Sequence, residues 1–395
     1  MSNGVTFAKG FKAAGVACGI KKNGDKDLAL IVAEEPATAA GVFTQNIVKG
    51  HSLALSMENI KHGQARAVVL NSGNANACLA ERGRADALQM AKITADVCGA
   101  QRKEILTGST GVIGVPLDMV KIEAGINAAY AALSTEGTDA AEAIMTTDTM
   151  AKTAETKVVI DGETIRIGGM AKGSGMIHPN MATMIGVVTT DAKMDAKALQ
   201  RALNQAVSQS FNRISVDGDT SVCDKVLLLA SGKVGKNILV DTPDYEIFLQ
   251  GLIEVSQKLA KMLAADGEGA TKLLTIKAEN VRSQSDAQKI TEAIAKSPLC
   301  KTAAFGRDAN WGRLLTAAGY SGGLFDPEKV DIYIGDVMVC RDGGGLAFDE
   351  AAALKVLSRD EVTYRLDFKD GEAEDTMWTC DLTYDYVKIN GEYRT

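Results

Sequence analysis

The chain has 395 residues, more than one hydrophobic core usually organises, so two or three domains are expected. Its 46% apolar and 24% charged content is that of an ordinary globular protein. A formal net charge of −7 argues against nucleic acid as a main partner, since phosphate binding asks for a basic surface, and no apolar run approaches the ~18 residues of a membrane span.

At the N-terminus, Lys9 and Lys12 precede a stretch of small residues. This faintly imitates a signal peptide, but the apolar part is short, glycine-broken and poor in leucine, so a cytoplasmic chain is expected. "ARAVVLNSG" (Ala65 to Gly73) reads as a buried strand ending in a turn. "RADALQMAKITADVCG" (Arg84 to Gly99) has helical spacing and a glycine stop, and "MVKIEAGINAAYAALS" is a second helix. "KVVIDGETIRIGG" predicts a hairpin about Asp161-Gly162. "TMIGVVTT" is a strand, "DAKALQRALNQAVSQSF" a helix, "KVLLLAS" a buried strand and "YEIFLQGLIEVSQKLAKMLAADG" a long amphipathic helix. Then come "KLLTIKA", a helix near Asp286 to Ala295, and "VDIYIGDVMVC". The tail from Val362 alternates apolar and polar residues as a β-meander does. Strands and helices alternate without a GxGxxG after a strand, which favours mixed α/β layers over a doubly wound nucleotide fold.

The chemistry-bearing residues are unevenly supplied. Seven cysteines are scattered without a CxxC, so reduced thiols are expected rather than disulfides or a zinc site. Three histidines, His51, His62 and His178, give little material for a metal centre or a Ser-His-Asp triad. "GGMAKGSG", "GKVGK" and "GEGATK" mix glycine and lysine but satisfy no phosphate-loop pattern, so turns and close backbone approach are preferred. "NSGNANA" (Asn71 to Ala77) reads as a self-satisfied loop before an anion pocket. "TGSTGVIG" (Thr107 to Gly114) offers hydroxyls and N–H groups that can converge as an oxyanion hole demands, though such turns are common. "SVDGDTSVCD" (Ser215 to Asp224) misses the calcium-loop spacing, and no metal is expected.

The stretch "KGSGMIHPNMATMIGVVTTD" leads through turn formers to Ala182 and Thr183 at the mouth of a strand. A lone threonine there is usually structural, being β-branched. Cut between Ala182 and Thr183, however, and Thr183 carries both a hydroxyl nucleophile and an α-amine of pKa about 7.7–8.0 to serve as its base. No histidine is then needed.

These residues, with "TGSTGVIG", "IMTTDTMAK", "SFNRISVDGDTS", "DGEGATK", "FGRDANWGR" and "INGEYRT", resemble the glutamate N-acetyltransferases of arginine biosynthesis, also called ornithine acetyltransferases. The motifs fall in family order from near residue 40 to Thr395. The resemblance implies a layered α-β-β-α sandwich with a second, smaller C-terminal α/β domain. It implies a precursor that cuts itself between Ala182 and Thr183 into an α chain, residues 1–182, and a β chain, residues 183–395, assembled as a heterotetramer of two of each. Thr183 would take the acetyl group of N2-acetylornithine as an ester and pass it to glutamate in a ping-pong cycle. Thr110 and Gly111 match the oxyanion hole. Thr146, Lys172, Thr183, Glu268, Asn390 and Thr395 match the substrate-binding positions, with Thr147 a rival to Thr146. No metal or resident cofactor is implied. Acetyl-CoA (acetyl-coenzyme A) is a co-substrate of some members, and no residue here decides that point. Val222-Cys223-Asp224-Lys225 departs from the Thr-Asn-Asp-Thr run more familiar in the family. The competing readings are an N-terminal-nucleophile amidase or aminopeptidase, and a non-catalytic amino-acid-binding protein.

Overall fold

A computed structural model describes residues 3–178 and 184–392; Ala182, Thr183 and Thr395 lie outside the described residues. One unit holds residues up to Asn212 together with Asp219–Leu263, and the other holds Arg213–Gly218 and the chain from Ala264 onward. Among the described residues no helix is long and apolar enough to cross a membrane.

The first unit opens with β1 (Phe11–Val16) paired antiparallel to the long β2 (Leu28–Phe43). Helix α1 (His51–Asn59), β3 (Gln64–Asn74), α2 (Ala80–Cys98) and β4 (Ile105–Val112) follow, β4 running parallel to β3. α2 stops where Gly99 turns left-handed at φ 62°, as a glycine at that position allows. α3 (Met119–Ala131) begins on Asp118, whose carboxylate accepts the Lys121 N–H, and α4 (Thr138–Ala143) comes next. β5 (Lys152–Ile160) and β6 (Glu163–Lys172) make the expected hairpin, with Asp161 at φ 54° and Gly162 at φ 77°. Two successive positive φ values are what a type I′ turn requires. β7 (Ile185–Lys193) is buried along all but its last residue, and α5 (Ala196–Ser208) is capped by Asp195. The short β8 (Ile214–Ser215) belongs to the second unit; β9 (Lys225–Asn237) and α6 (Pro243–Ala265) close the first.

Strand order in this unit is β4-β3-β2-β9-β7-β6-β5, with β1 beside β2. A register shift in β2 between Val32 and Ala37 lets its first half pair with β1 and β3 and its second half with β9. The two halves enclose one core, Ile31, Leu70 and Leu106 from one side meeting Met170, Val187 and Leu227 from the other. Outside them, Leu30, Val69 and Ile105 pack with Met90 of α2 and Ile122 of α3, while Gly251 and Leu259 of α6 lie against Ile167 and Gly169. Helix, sheet, sheet, helix: the α-β-β-α sandwich is present.

The second unit is the smaller α/β body. It contains β10 (Leu273–Val281), α7 (Gln284–Lys296), α8 (Pro298–Phe305), α9 (Trp311–Gly319), β11 (Asp331–Ile334) and β12 (Val337–Arg341). β13 (Gly344–Gly345), α10 (Glu350–Leu357), β14 (Glu361–Asp367), β15 (Ala373–Cys380) and α11 (Tyr384–Glu392) complete it. The tail is not the expected meander. β14 and β15 lie on either side of β10, parallel and antiparallel to it, and the described chain ends in a helix. Period-two alternation identifies a strand without naming its neighbour. In α11 the half-buried positions include Tyr386 and Ile389, three apart, which is helical spacing.

Candidate active site

β4 is an edge strand of its sheet, and α1 covers that edge. Ser56 Oγ accepts the Thr107 N–H at 2.7 Å and donates to the Thr107 carbonyl at 2.6 Å. Thr107 Oγ1 donates to the Ser52 carbonyl at 2.7 Å, and the hydroxyls of Ser52 and Ser109 meet at 2.8 Å. Since backbone groups alternate sides along a strand, the Gly111 N–H is turned to the same edge as that of Thr107. Gly111 itself sits at φ 126° opposite Gly73. A Cβ there would stand 2.5 Å from the Gly73 carbonyl carbon, so only glycine fits. Thr110 is 7% exposed, and its hydroxyl has no hydrogen-bond partner among the described residues. A rigid N–H and an unspent hydroxyl on neighbouring residues can stabilise a developing oxyanion.

The loops around this strand converge. Ala75 and Ala77 of "NSGNANA", Ile113 beyond β4, and Val222 and Cys223 form one apolar cluster. Next to them Lys225 is fully buried and donates to the Thr107 carbonyl at 2.6 Å, passing close over Gly108. Burial pushes its ammonium down to about 8, against a smaller opposing pull from Cys223 and Asp224.

Lys172, the last residue of β6, donates to Thr146 Oγ1 at 2.7 Å and lies 3.8 Å from Asp148 Oδ2. Asp148 Oδ1 accepts from Lys152 Nζ at 2.7 Å and from the Gly173 N–H at 2.6 Å, and Oδ2 accepts the Thr146 N–H at 2.9 Å. Burial would raise this carboxyl, but the Lys172 and Lys152 ammoniums, with these hydrogen bonds, hold it well below the usual carboxylate range. Two ammoniums thus share one carboxylate, which leaves cationic character suited to a carboxylate ligand. Of the two rival threonines it is Thr146 whose hydroxyl meets Lys172. Across the sheet, Lys172 pairs with Ile185 of β7 and Ile185 with Lys225 of β9. The start of β7 is therefore level with both lysines.

In the second unit, Asn390 Nδ2 donates to Glu268 Oε2 at 2.7 Å and to the Tyr386 carbonyl at 3.1 Å. Glu268 is 9% exposed. Its neighbour Gly269, at φ 69°, lies so near α11 that a Cβ would approach the Tyr386 nitrogen to 2.7 Å, and Thr383 Oγ1 donates to the Gly269 carbonyl at 2.7 Å. The "GEGATK" glycine thus serves close approach.

Among the described residues no group of His, Cys, Asp or Glu is arranged to hold a metal, and the seven cysteines are free thiols. Sequence reasoning passed over Asp148 and Lys152, whose signal was an acid and a base four apart in "DTMAK". It weighed Asp224 as part of a possible metal loop and noted Lys225 only within a run that departs from the family; a charged pair at the entry of the apolar stretch VLLLA was the available clue.

A family model described as the ArgJ family matches residues 12–395. The arginine biosynthesis bifunctional protein ArgJ of Symbiobacterium thermophilum is 53% identical over 399 aligned positions, covering 100% of this chain and 99% of that protein. The protein of the same name from Caldanaerobacter subterraneus is 49% identical, covering 99% of this chain and 98% of its own length. A crystal structure of arginine biosynthesis bifunctional protein argJ from Bacillus halodurans superposes with a TM-score of 0.51 at 40% identity, over 52% of this chain and 98% of that one.

Proposed function

The chain belongs to the ArgJ family, and we propose that it is a glutamate N-acetyltransferase of arginine biosynthesis, moving the acetyl group of N2-acetylornithine to glutamate through an acetyl ester on Thr183. The observation that carries the reading is Lys172 bound to Thr146 beside Asp148, a cationic position for the α-carboxylate that both substrates bear. The Thr110 hydroxyl and Gly111 N–H supply donors to the tetrahedral oxyanion, where charge appears only on the way to products. Glu268 is assigned to a substrate ammonium, and Asn390 and Thr395 to substrate binding.

The nucleophile is made by self-cleavage. The Thr183 hydroxyl attacks the Ala182 carbonyl, the peptide bond gives way to an ester, and water resolves it into residues 1–182 and 183–395. The new α-amine then takes the hydroxyl proton as Thr183 attacks acetylornithine. Ornithine departs, and glutamate receives the acetyl group. In support, the Bacillus halodurans chain corresponds to 52% of this one, close to the share that residues 183–395 represent. Acetyl-CoA is proposed as an alternative acetyl donor, in keeping with relatives named bifunctional; no resident cofactor or metal is assigned. The two chains are taken to assemble as a heterotetramer of two α and two β chains in the cytoplasm.

The test is Thr183→Ala. Intact-mass measurement is expected to find a single uncut chain, and transfer of labelled acetyl from acetylornithine to glutamate to fall by about 10⁴-fold or more. Normal turnover by that variant refutes the assignment.

A further inference from the structure

We propose that Lys21 receives the side-chain carboxylate of glutamate in the second half of the reaction and so selects that acceptor; this rests on the acetyltransferase reading above.

The segment between β1 and β2 is built around one buried carboxylate. Asp27 has no exposed surface, and its oxygens accept the N–H groups of Cys18 at 2.7 Å, Ile20 at 2.6 Å and Lys21 at 2.9 Å. Three charge-assisted bonds to backbone fix the chain on which Lys21 stands. Two contacts on β3 then set where that chain lies. The Asp27 carbonyl accepts the Ser72 N–H at 2.9 Å, and a Cβ on Gly73 would meet Ile20 Cγ2 and Lys21 Cγ at 3.2 Å each. Gly73 is paired with Gly111, so the Lys21 stem rests one strand away from the oxyanion donor. The Ser72 hydroxyl donates to the Ala143 carbonyl at 2.6 Å, at the end of α4 and three residues before Thr146. Lys26 Nζ holds two carboxylates of that helix, Asp139 at 2.5 Å and Glu142 at 2.7 Å. The segment carrying Lys21 is thereby tied both to the oxyanion strand and to the helix that leads into Thr146 and Asp148.

The Lys21 ammonium is largely unspent. Its side chain is half-buried, whereas Lys22 beside it is exposed. Among the described residues its Nζ donates to the Lys26 carbonyl at 2.8 Å and forms no ion pair, Asp27 being engaged by the backbone. Burial lowers this ammonium; Asp25, Asp27 and Asp148 oppose that, and Lys172 adds to it, so the charges of the substrate-carboxylate position act on Lys21. A partly dry ammonium with donors to spare suits an anionic ligand.

The substrates decide which anion. Both carry an α-carboxylate, already assigned to Lys172 and Thr146. Beyond it they differ in sign: acetylornithine and ornithine end in an ammonium, glutamate in a second carboxylate. A second cation close to the first attracts the glutamate end and repels the ornithine end, which favours forward transfer over rebinding of the product. No bond is made or broken at Lys21; it holds the acceptor while the α-amine takes the acetyl group.

The experiment offers the full chain labelled N2-acetylornithine and compares two acceptors, glutamate and its neutral isostere glutamine. The wild type is expected to favour glutamate by about 10-fold or more in kcat/KM. Lys21→Met is expected to narrow that preference by about 10- to 100-fold, through the KM of glutamate, and Lys21→Arg to retain most of it. A wild type that uses both acceptors equally overturns the proposal whether or not the variants fold. So does an unchanged preference in Lys21→Met, or an equal loss of transfer to both acceptors. A rise in the KM of acetylornithine that matches the rise for glutamate also overturns it, because Lys21 would then serve the α-carboxylate common to both. If the wild type moves no acetyl group from acetylornithine to either acceptor, the acetyltransferase reading itself fails.

Discussion

At Asp148 a single carboxylate serves Lys152, Lys172, Thr146 and Gly173. Lys152 and Asp148 have no exposed side-chain surface. Neutralising the acid removes the charge that faces the Lys152 and Lys172 ammoniums, and breaking a buried pair from one side typically costs about 3–5 kcal/mol. Asp148→Asn is therefore expected to lower the unfolding free energy from urea titration by that order. The pH dependence has a definite sign. Because the folded carboxyl is held below its unfolded value of about 3.9, its stabilisation is fully present above that pH and is lost as pH falls toward the folded value. The wild type should lose stability in acid below about pH 4, and the variant less so; identical acid slopes would show that Asp148 is not the linked group. Thr110, Gly111 and Lys172 could be proposed from sequence because each sits in a quoted motif whose chemistry is local. Asp148 was not, since the distant strand β6 supplies Lys172 and decides its burial.

For elements, what matters is how an edge strand is held. Ser56 both accepts from and donates to the Thr107 backbone, so α1 is the partner that β4 lacks on its outer side. Lys225 still reaches the Thr107 carbonyl without Ser56, but among the described residues the Thr107 N–H has no such second partner. Ser56→Ala should cost about 1–3 kcal/mol, seen as a lower thermal midpoint, and should reduce kcat more than KM as the Gly111 donor loses its fixed position. An unchanged midpoint would mean that α1 does not brace the strand. β3, α2, α3 and the β5–β6 hairpin were readable because periodicity, a glycine stop and Asp161-Gly162 are local signals. β2, one strand of 16 residues, was not identified from sequence; Glu34-Glu35-Pro36 interrupts its apolar run. The structure exposes those three residues and shifts register past them, a placement that suits proline at a bulge.

In the whole molecule, the proposed cut severs covalent continuity inside a sheet that stays hydrogen-bonded. β6, on the N-terminal side, pairs with β7 on the C-terminal side from Ile167↔Thr190 to Lys172↔Ile185. β2 pairs with β9 from Thr38↔Ala230 to Phe43↔Lys225. In strand order the C-terminal β9 and β7 lie between the N-terminal β2 and β6, and Ala39 and Met170 share a core with Val187 and Leu229. Pulling the pieces apart would expose central strands on both edges and both faces, where unpaired backbone and apolar surface are costly together. The two chains should therefore elute as one species in native size exclusion and separate only on a denaturing gel. Expressed alone, residues 183–395 should be insoluble, because β7 and β9 would lack both flanking strands, and co-expression with residues 1–182 should restore solubility. Native separation of the cut pieces, or a soluble, cooperatively folding 183–395, would contradict a first unit built from both sides of the cut.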